Sequence, residues 1–288
     1  MAINWFPGHM VKTKREIKEN LKLVDAVIEI RDARIPKSSA NPDIDELCKD
    51  KPRLILLNKS DLTDNKTTKA WINALKSESI RAIEVNCLKG DGIKNIKPAL
   101  MELLKEKHER LKAKGLAKII TRVMVVGIPN VGKSTFINKM ARNNIAKTGD
   151  RPGVTKNKQW IKTSIGIELL DTPGVLWPKF EDEEVALNLA FTGAIKDEIM
   201  DTEELSLKLV ERLQNTNPEL LKARYKLEAV AEEPIDTLNM IARKRGSIVS
   251  GGEINYDRIA SIILDEFRGG KIGNVSLETP WKGEKIEG

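Results

Sequence analysis

The chain reads as an α/β domain, a parallel-rich sheet flanked by helices, followed by a smaller all-α domain. Three observations point there. Short apolar runs alternate with helical segments up to about residue 178, several of these runs lead directly into glycine- or aspartate-bearing turns, and beyond Pro178 the strand signal stops while helical periodicity continues.

The elements follow in order. A basic helical pattern from Met10 to Leu21 precedes VDAVIEI (24–30), an almost continuously apolar run of the kind a strand buried on both faces shows. RLILL (53–57) and RAIEV (81–85) repeat that signal, and between them TTKAWINALKS (67–77) sets Trp71, Ile72 and Leu75 at helical spacing. Strand, helix, strand is the alternation of a parallel sheet with crossover helices. A helix is expected over 93–114, through Leu100, Leu103 and Leu104, ending in a charge-dense stretch that suits a solvated face or an RNA contact. VMVVG (123–127) and IELLD (167–171) are two further buried strands, and 134–142 reads as helix. Helical patterns then cover 182–191, 203–214, 218–227, 234–245 and 256–268, and the Gly-rich polar tail reads as extended or loosely ordered. The domains are therefore expected at 1–178 and 179–288.

At 288 residues the chain is long enough for two domains, and 40% hydrophobic residues suffice for their cores. Lys and Arg number 49 against 42 Asp and Glu, a net charge of +7 that permits a polyanionic partner without requiring one. Two cysteines, Cys48 and Cys87, form neither a disulfide framework nor a metal-ligand spacing, as suits a reducing compartment. No apolar run reaches the roughly 18 residues of a membrane span, so a cytoplasmic location away from membranes is expected.

Chemistry concentrates in a few turns. GIPNVGKST (127–135) matches G-x-x-x-x-G-K-[ST] between a buried strand and a helix. Backbone N–H groups of Asn130, Val131, Gly132, Lys133, Ser134 and Thr135 would cradle phosphates there; Lys133 adds a point charge, and the Ser134 hydroxyl can ligate Mg2+. Asp171-Thr172-Pro173-Gly174 ends another strand, where Asp171 can hold the magnesium shell and the Gly174 N–H can meet a γ-phosphate. Thr155 lies between them on a Gly- and Pro-punctuated loop of the kind that a γ-phosphate and Mg2+ order, and it is a candidate metal ligand and catalytic residue.

Asn58-Lys59-Ser60-Asp61 follows RLILL directly. A carboxylate at Asp61 can accept from the ring N–H and exocyclic amine of guanine, Lys59 can lay its stem along the base, Ser60 completes the turn and Asn58 can brace it. Alone, NKSD is also an ordinary polar turn. A second turn, Asn86-Cys87-Leu88-Lys89-Gly90, could set backbone N–H groups against the guanine oxygen.

Together these turns resemble the five signatures of the translation-factor-related P-loop GTPases in rotated order, with the guanine elements first and the phosphate loop after them. With WFPGHM (5–10) and DARIP (32–36), the chain resembles the circularly permuted GTPase family, specifically its members in bacterial ribosome biogenesis. It departs from the wider class at Cys87, where alanine is usual. The resemblance implies GTP as substrate, Mg2+ as cofactor and late maturation of the large ribosomal subunit as the task. Its implied partners are that subunit's precursor and rRNA rather than DNA or membrane, with the chain a monomer off the ribosome. Basic groups at Lys222, Arg224 and Arg243–Arg245 are RNA candidates or solvated helix ends.

Where many GTPases carry a water-orienting glutamine after D-x-x-G, this chain has Val175. The resemblance marks His9 as the replacement, and Asn130 as the companion of a K+ ion near the phosphates. Rotation also makes the stretch after Gly174 the direct lead into the helical domain, so a phosphate-dependent movement there could reposition it. The rival reading is a P-loop phosphotransferase or ATPase of metabolic or signalling role in which NKSD is only a turn.

Overall fold

A computed structural model describes residues 7–116, 119–141, 160–172 and 182–280, with side chains from residue 14. Asp182–Val275 forms one compact unit, and the described residues before it, with those from Ser276 onward, form the other. The boundary expected near 178 falls outside the described residues.

The first unit is built on six strands, β1 (Ala26–Asp32), β2 (Arg53–Asn58), β3 (Ile80–Glu84), β4 (Thr121–Val126), β5 (Trp160–Lys162) and β6 (Ile167–Asp171), in the sheet order β3-β2-β1-β4-β6-β5. Every pair is parallel except β5 with β6. Its helices are α1 (Pro7–Leu21), α2 (Pro42–Leu47), α3 (Asn65–Ala74), α4 (Ile96–Leu103), α5 (Lys105–Ala113) and α6 (Lys133–Met140). Ile17 and Leu21 of α1 and Ile44 of α2 pack on Val27, Met124 and Leu170, while Trp71 of α3 packs on Ile55 and Leu57. The alternate register, including Ile28, Ile30, Leu54, Leu56, Val123 and Val125, is buried as well, so both faces of the sheet are covered. That is why the strands read as apolar runs rather than as alternation.

One exception sits mid-sheet. Glu29 is buried in β1, where it accepts from Arg31 Nε at 2.8 Å and from Arg53 Nη1 at 3.1 Å, and Arg53 also pairs with Asp45 of α2. The charges neutralise one another and bind α2 to the sheet; their burial is tolerated because each is paired.

Three elements depart from expectation. The helix over 93–114 is broken at Leu104, whose φ of −104° and ψ of 13° interrupt α4 and α5. Strand β5 has only three residues, too few for a periodic signal, and α2 is an Asn41-capped turn and a half that opens on Pro42. The tail, expected to be extended or loosely ordered, has neither helix nor strand over 271–280 and is tied within the first unit at residues 277–278. Leu277 N–H donates to Arg34 O at 2.9 Å, Trp71 Nε1–H donates to Glu278 O at 3.2 Å, and the Glu278 carboxylate accepts from the N–H groups of Lys37 and Ser38 at 2.7 and 2.9 Å.

The second unit contains α7 (Glu183–Phe191), α8 (Thr202–Thr216), α9 (Pro218–Tyr225), α10 (Pro234–Arg245) and α11 (Tyr256–Arg268). Their ends carry the expected signals: Asp182, Asp201 and Asn255 cap N-termini, Pro218 and Pro234 open helices, and Gly246 closes α10 in the left-handed region. α8 packs against both α10 and α11.

Candidate nucleotide site

Four of the five signature turns, together with DARIP, leave the same edge of the sheet, and the fifth, the loop of Thr155, lies outside the described residues. Each of those described stands at the C-terminal end of a parallel strand: DARIP at β1, NKSD at β2, NCLKG after β3, the phosphate loop after β4 and Asp171-Thr172, the described part of DTPG, at β6. Carboxyl ends of parallel strands are where open α/β sheets bind ligands. The sheet order therefore lays them side by side as NCLKG, NKSD, DARIP, phosphate loop and DTPG, although the chain visits them in another sequence.

One side chain joins three of them. Asn58 is buried at the end of β2; its Nδ2 donates to Val131 O of the phosphate loop at 2.6 Å and its Oδ1 accepts Cys87 N–H at 2.9 Å. The phosphate loop and the turns after β2 and β3 are thereby held as one assembly. Gly132 is needed for this, because its φ is 96° and a Cβ there would collide with Asn58 Nδ2.

On the phosphate side, Asn130 also adopts a positive φ of 60°, and Gly132 starts α6. Successive N–H groups of 130–135 thus lead into a helix N-terminus, an arrangement suited to anions. Lys133 Nζ donates to Thr172 O and lies 3.5 Å from Asp171 Oδ1. Thr172 in turn donates from its hydroxyl to Val125 O at 2.6 Å, fixing the end of β6 against β4. Ser134 and Asp171 are both exposed, one a hydroxyl and the other a carboxylate. Hard oxygen donors of this kind fit Mg2+, which takes one or two carboxylates and completes its shell with phosphate oxygens and water. Among the described residues no cluster of three His, Cys, Asp or Glu forms a cage of its own.

On the base side, Lys59 sits in the left-handed region at φ 61°, a conformation costing roughly 1–2 kcal/mol for a residue with a Cβ. Ser60 anchors the turn by donating from N and Oγ to Val85 O at 3.2 and 3.0 Å. Asp61 is paired with Lys89 Nζ at 3.1 Å, and both are solvent-facing, so the pair is weak and can yield to a base. In the second turn most N–H groups are already used. Asn86 N–H donates to Asp91 O, Cys87 N–H to Asn58, Lys89 N–H to Asn86 Oδ1 and Gly90 N–H to Asn86 O. Leu88 alone keeps an N–H without an acceptor among the described residues, and it is the donor this turn can offer to a carbonyl. The sequence offers the N–H groups of the whole turn Asn86–Gly90, with Asn86 and Cys87 singled out, and the bonds of its neighbours narrow the free donor to Leu88. Burial pushes the Cys87 thiol up to about 12, so it is a neutral, small filler.

Between base and phosphate turns lies Asp32, buried at 2% exposure. Burial acts to raise its pKa, but Arg34 and Lys59 outweigh it and hold the carboxyl well below the usual range. Arg34 takes both oxygens, and Lys59 Nζ stands 2.9 Å from Oδ2.

Several expected residues lie outside this picture. Thr155, Gly174 and Val175 fall outside the described residues, as does the side chain of His9. Of the basic groups on the helical unit, Arg224 and Arg245 are committed to Glu266 at 2.7 and 2.8 Å, and Lys222 pairs with Glu219 at 2.6 Å. Arg243 and Lys244 stay exposed, with no acidic partner among the described residues.

The family model described as "50S ribosome-binding GTPase" matches residues 122–241. Ribosome biogenesis GTPase A of Bacillus cereus is 50% identical over 288 residues, all of this chain and 97% of the relative. The protein of the same name from Thermotoga maritima is 34% identical, over 96% of this chain and 95% of its own. Mitochondrial ribosome-associated GTPase 1 of Mus musculus is 34% identical, over 95% and 89%. Among solved structures, GNP-bound YlqF from T. maritima superposes with a TM-score of 0.65 at 31% identity, covering 94% of this chain and 99% of that one.

Proposed function

As the chain belongs to the ribosome biogenesis GTPase A family and is a P-loop GTPase, we propose that it assists late maturation of the large (50S) ribosomal subunit, docking when GTP-bound and leaving after hydrolysis. The observation that carries the nucleotide part is the Asn58 side chain, which bonds the phosphate loop and the second guanine turn together. A bare polar turn, as a phosphotransferase or ATPase reading would have it, owes the phosphate loop no such bond.

In this reading the triphosphate lies over residues 130–135 with Lys133 between the phosphates, and guanine faces Asp61 with its oxygen on the Leu88 N–H. The carboxylate of Asp61 accepts the two N–H donors of guanine, and adenine, lacking them there, leaves it unpaired. Asn58, Asn86 and Cys87 shape the walls, Ser60 fixes the turn and Gly174 reaches the γ-phosphate. Ser134, Asp171 and Thr155 would hold Mg2+, which would supply charge neutralisation for the phosphates when bound. Water attacks the γ-phosphorus, the bond to the bridging oxygen breaks, and GDP and phosphate leave.

His9 orients that water and Thr155 contributes from the loop of 148–156, while Val175 leaves the chain slow by itself. Residues 1–178 handle nucleotide and the helical part of 179–288 meets rRNA, with Arg243 and Lys244 among the phosphate contacts, while the tail from Ser276 belongs with the first unit. The protein acts in the cytoplasm, as a monomer off the ribosome. GTP turnover should rise when purified large subunits are added, and His9→Ala should remove about 10^2 to 10^4 of that stimulated rate while GTP affinity holds. No stimulation by subunits contradicts the assignment, and unchanged stimulation in His9→Ala removes the histidine from it. Asn130 supports a second expectation: at matched ionic strength hydrolysis runs faster in K+ than in Na+, and equal rates dismiss the potassium role.

A further inference from the structure

The Asp32 carboxylate has more cation than it needs. Arg34 alone satisfies it, donating to Oδ1 from its backbone N and Nε, both at 3.0 Å, and to Oδ2 from Nη2 at 2.8 Å. Lys59 nevertheless reaches across from the next strand to place Nζ 2.9 Å from Oδ2. The parallel register makes the reach short, because Asp32 lies opposite Asn58 and Ala33 N–H donates to Asn58 O at 2.8 Å. Since Arg34 already neutralises Asp32, the partner that gains a fixed position from the contact is Lys59.

We propose that Asp32 is a positioning residue of the guanine site: it holds the Lys59 ammonium so that the aliphatic stem of Lys59 lies along the purine, and it sets base affinity without touching nucleotide. This rests on reading 58–61 as the guanine element. Asp32 is itself held rigidly. Its N–H donates to Ser39 Oγ at 3.1 Å, Ser39 Oγ donates to Ile35 O at 2.6 Å, and the Glu278 carboxylate gathers the N–H groups of Lys37 and Ser38. The left-handed backbone at Lys59 is the second sign of constraint. Lysine side chains are otherwise flexible, and fixing one before binding removes an ordering cost from the nucleotide's affinity.

The test compares Lys59→Met, which keeps the stem and removes the ammonium, with Asp32→Asn, with both together and with Lys59→Ala, in the full chain. Dissociation constants for GTP and GDP and kcat at saturating GTP are read for each. Each of the first two should raise both dissociation constants alike, by about tenfold (about 1.4 kcal/mol), and in Asp32→Asn, whose residue does not touch the nucleotide, kcat at saturation should hold. The double variant should bind no more weakly than Lys59→Met, and Lys59→Ala should bind more weakly than either. Losses that multiply in the double variant overturn the proposal. So does a Lys59→Met that binds GTP as tightly as wild type, and this arm stands even if Asp32→Asn does not fold, because it leaves the Asp32–Arg34 pair whole. A wild-type chain that preferred ATP would instead overturn the guanine reading underneath, so the two failures are distinct.

Discussion

At the residue scale, Gly132 shows how two demands converge on one position. Its φ of 96° disfavours any side chain, and Asn58 Nδ2 occupies the space a Cβ would take. Gly115 has a similar φ of 82° with nothing near its missing Cβ. Ala at Gly115 should therefore cost only backbone strain, about 1–2 kcal/mol. Ala at Gly132 should add the loss of the Asn58–Val131 bond and weaken GTP binding at least about tenfold (~1.4 kcal/mol), as titration of each variant would show. Equal GTP affinity in the two variants would refute the bridging role of Asn58. The letters of the phosphate loop, NKSD and DTPG are legible in sequence because each is local. The bonds between them are not, since Asn58 and Val131 stand 73 positions apart. The roles of Leu88 and Asp32, both named in their motifs, were not legible for the same reason: a free N–H and a shared carboxylate are defined by neighbours that only the fold supplies.

At the element scale, strands and helices with full periodic patterns were legible, and α10 and α11 run over the expected residues because proline, asparagine and glycine mark their ends. Elements too short to repeat a pattern, α2 and β5, were not. The basic helix ends carried an ambiguity that packing resolves in part. Glu266 of α11 accepts two bonds from Arg224 of α9, at 3.0 and 2.7 Å, and one from Arg245 of α10 at 2.9 Å. Burial acts to raise the Glu266 pKa, yet its hydrogen bonds and the two arginines hold it low. Two cations counted as RNA candidates thus brace three helices. Glu266→Gln should lower stability by about 1–3 kcal/mol, read as a lower denaturant midpoint. It should do so at neutral pH and lose its effect in acid, because a group whose pKa folding lowers contributes above its unfolded value and ceases to as pH falls through the folded one. An unaltered midpoint would show that the helices hold without this hub.

At the scale of the whole molecule, rotating the motif order leaves the sheet unaffected: β1 and β4, far apart in the chain, pair side by side, and the described motif turns still share one edge. The order reversal was legible in sequence, as was the α/β then all-α arrangement. The return of the tail was not, because Leu277 and Glu278 carry no pattern and their partners Arg34, Ser38 and Trp71 lie more than two hundred positions away. Connectivity is where rotation has its effect. The chain passes from Asp171 through residues outside the described set into Asp182 and the helical unit, so the γ-phosphate end of the site is the one nearest in sequence to the proposed RNA-binding part. The account's central claim is that one site, built from distant turns, reads guanine through Asp61 while Lys133 holds the phosphates. Binding of GTP, ATP and XTP to wild type and to Asp61→Asn tests it most directly. Wild type should take GTP alone, and the variant should lose GTP by roughly 10^4 while gaining XTP, whose extra carbonyl meets the new amide. A variant that keeps GTP, or a wild type indifferent to the base, would contradict it.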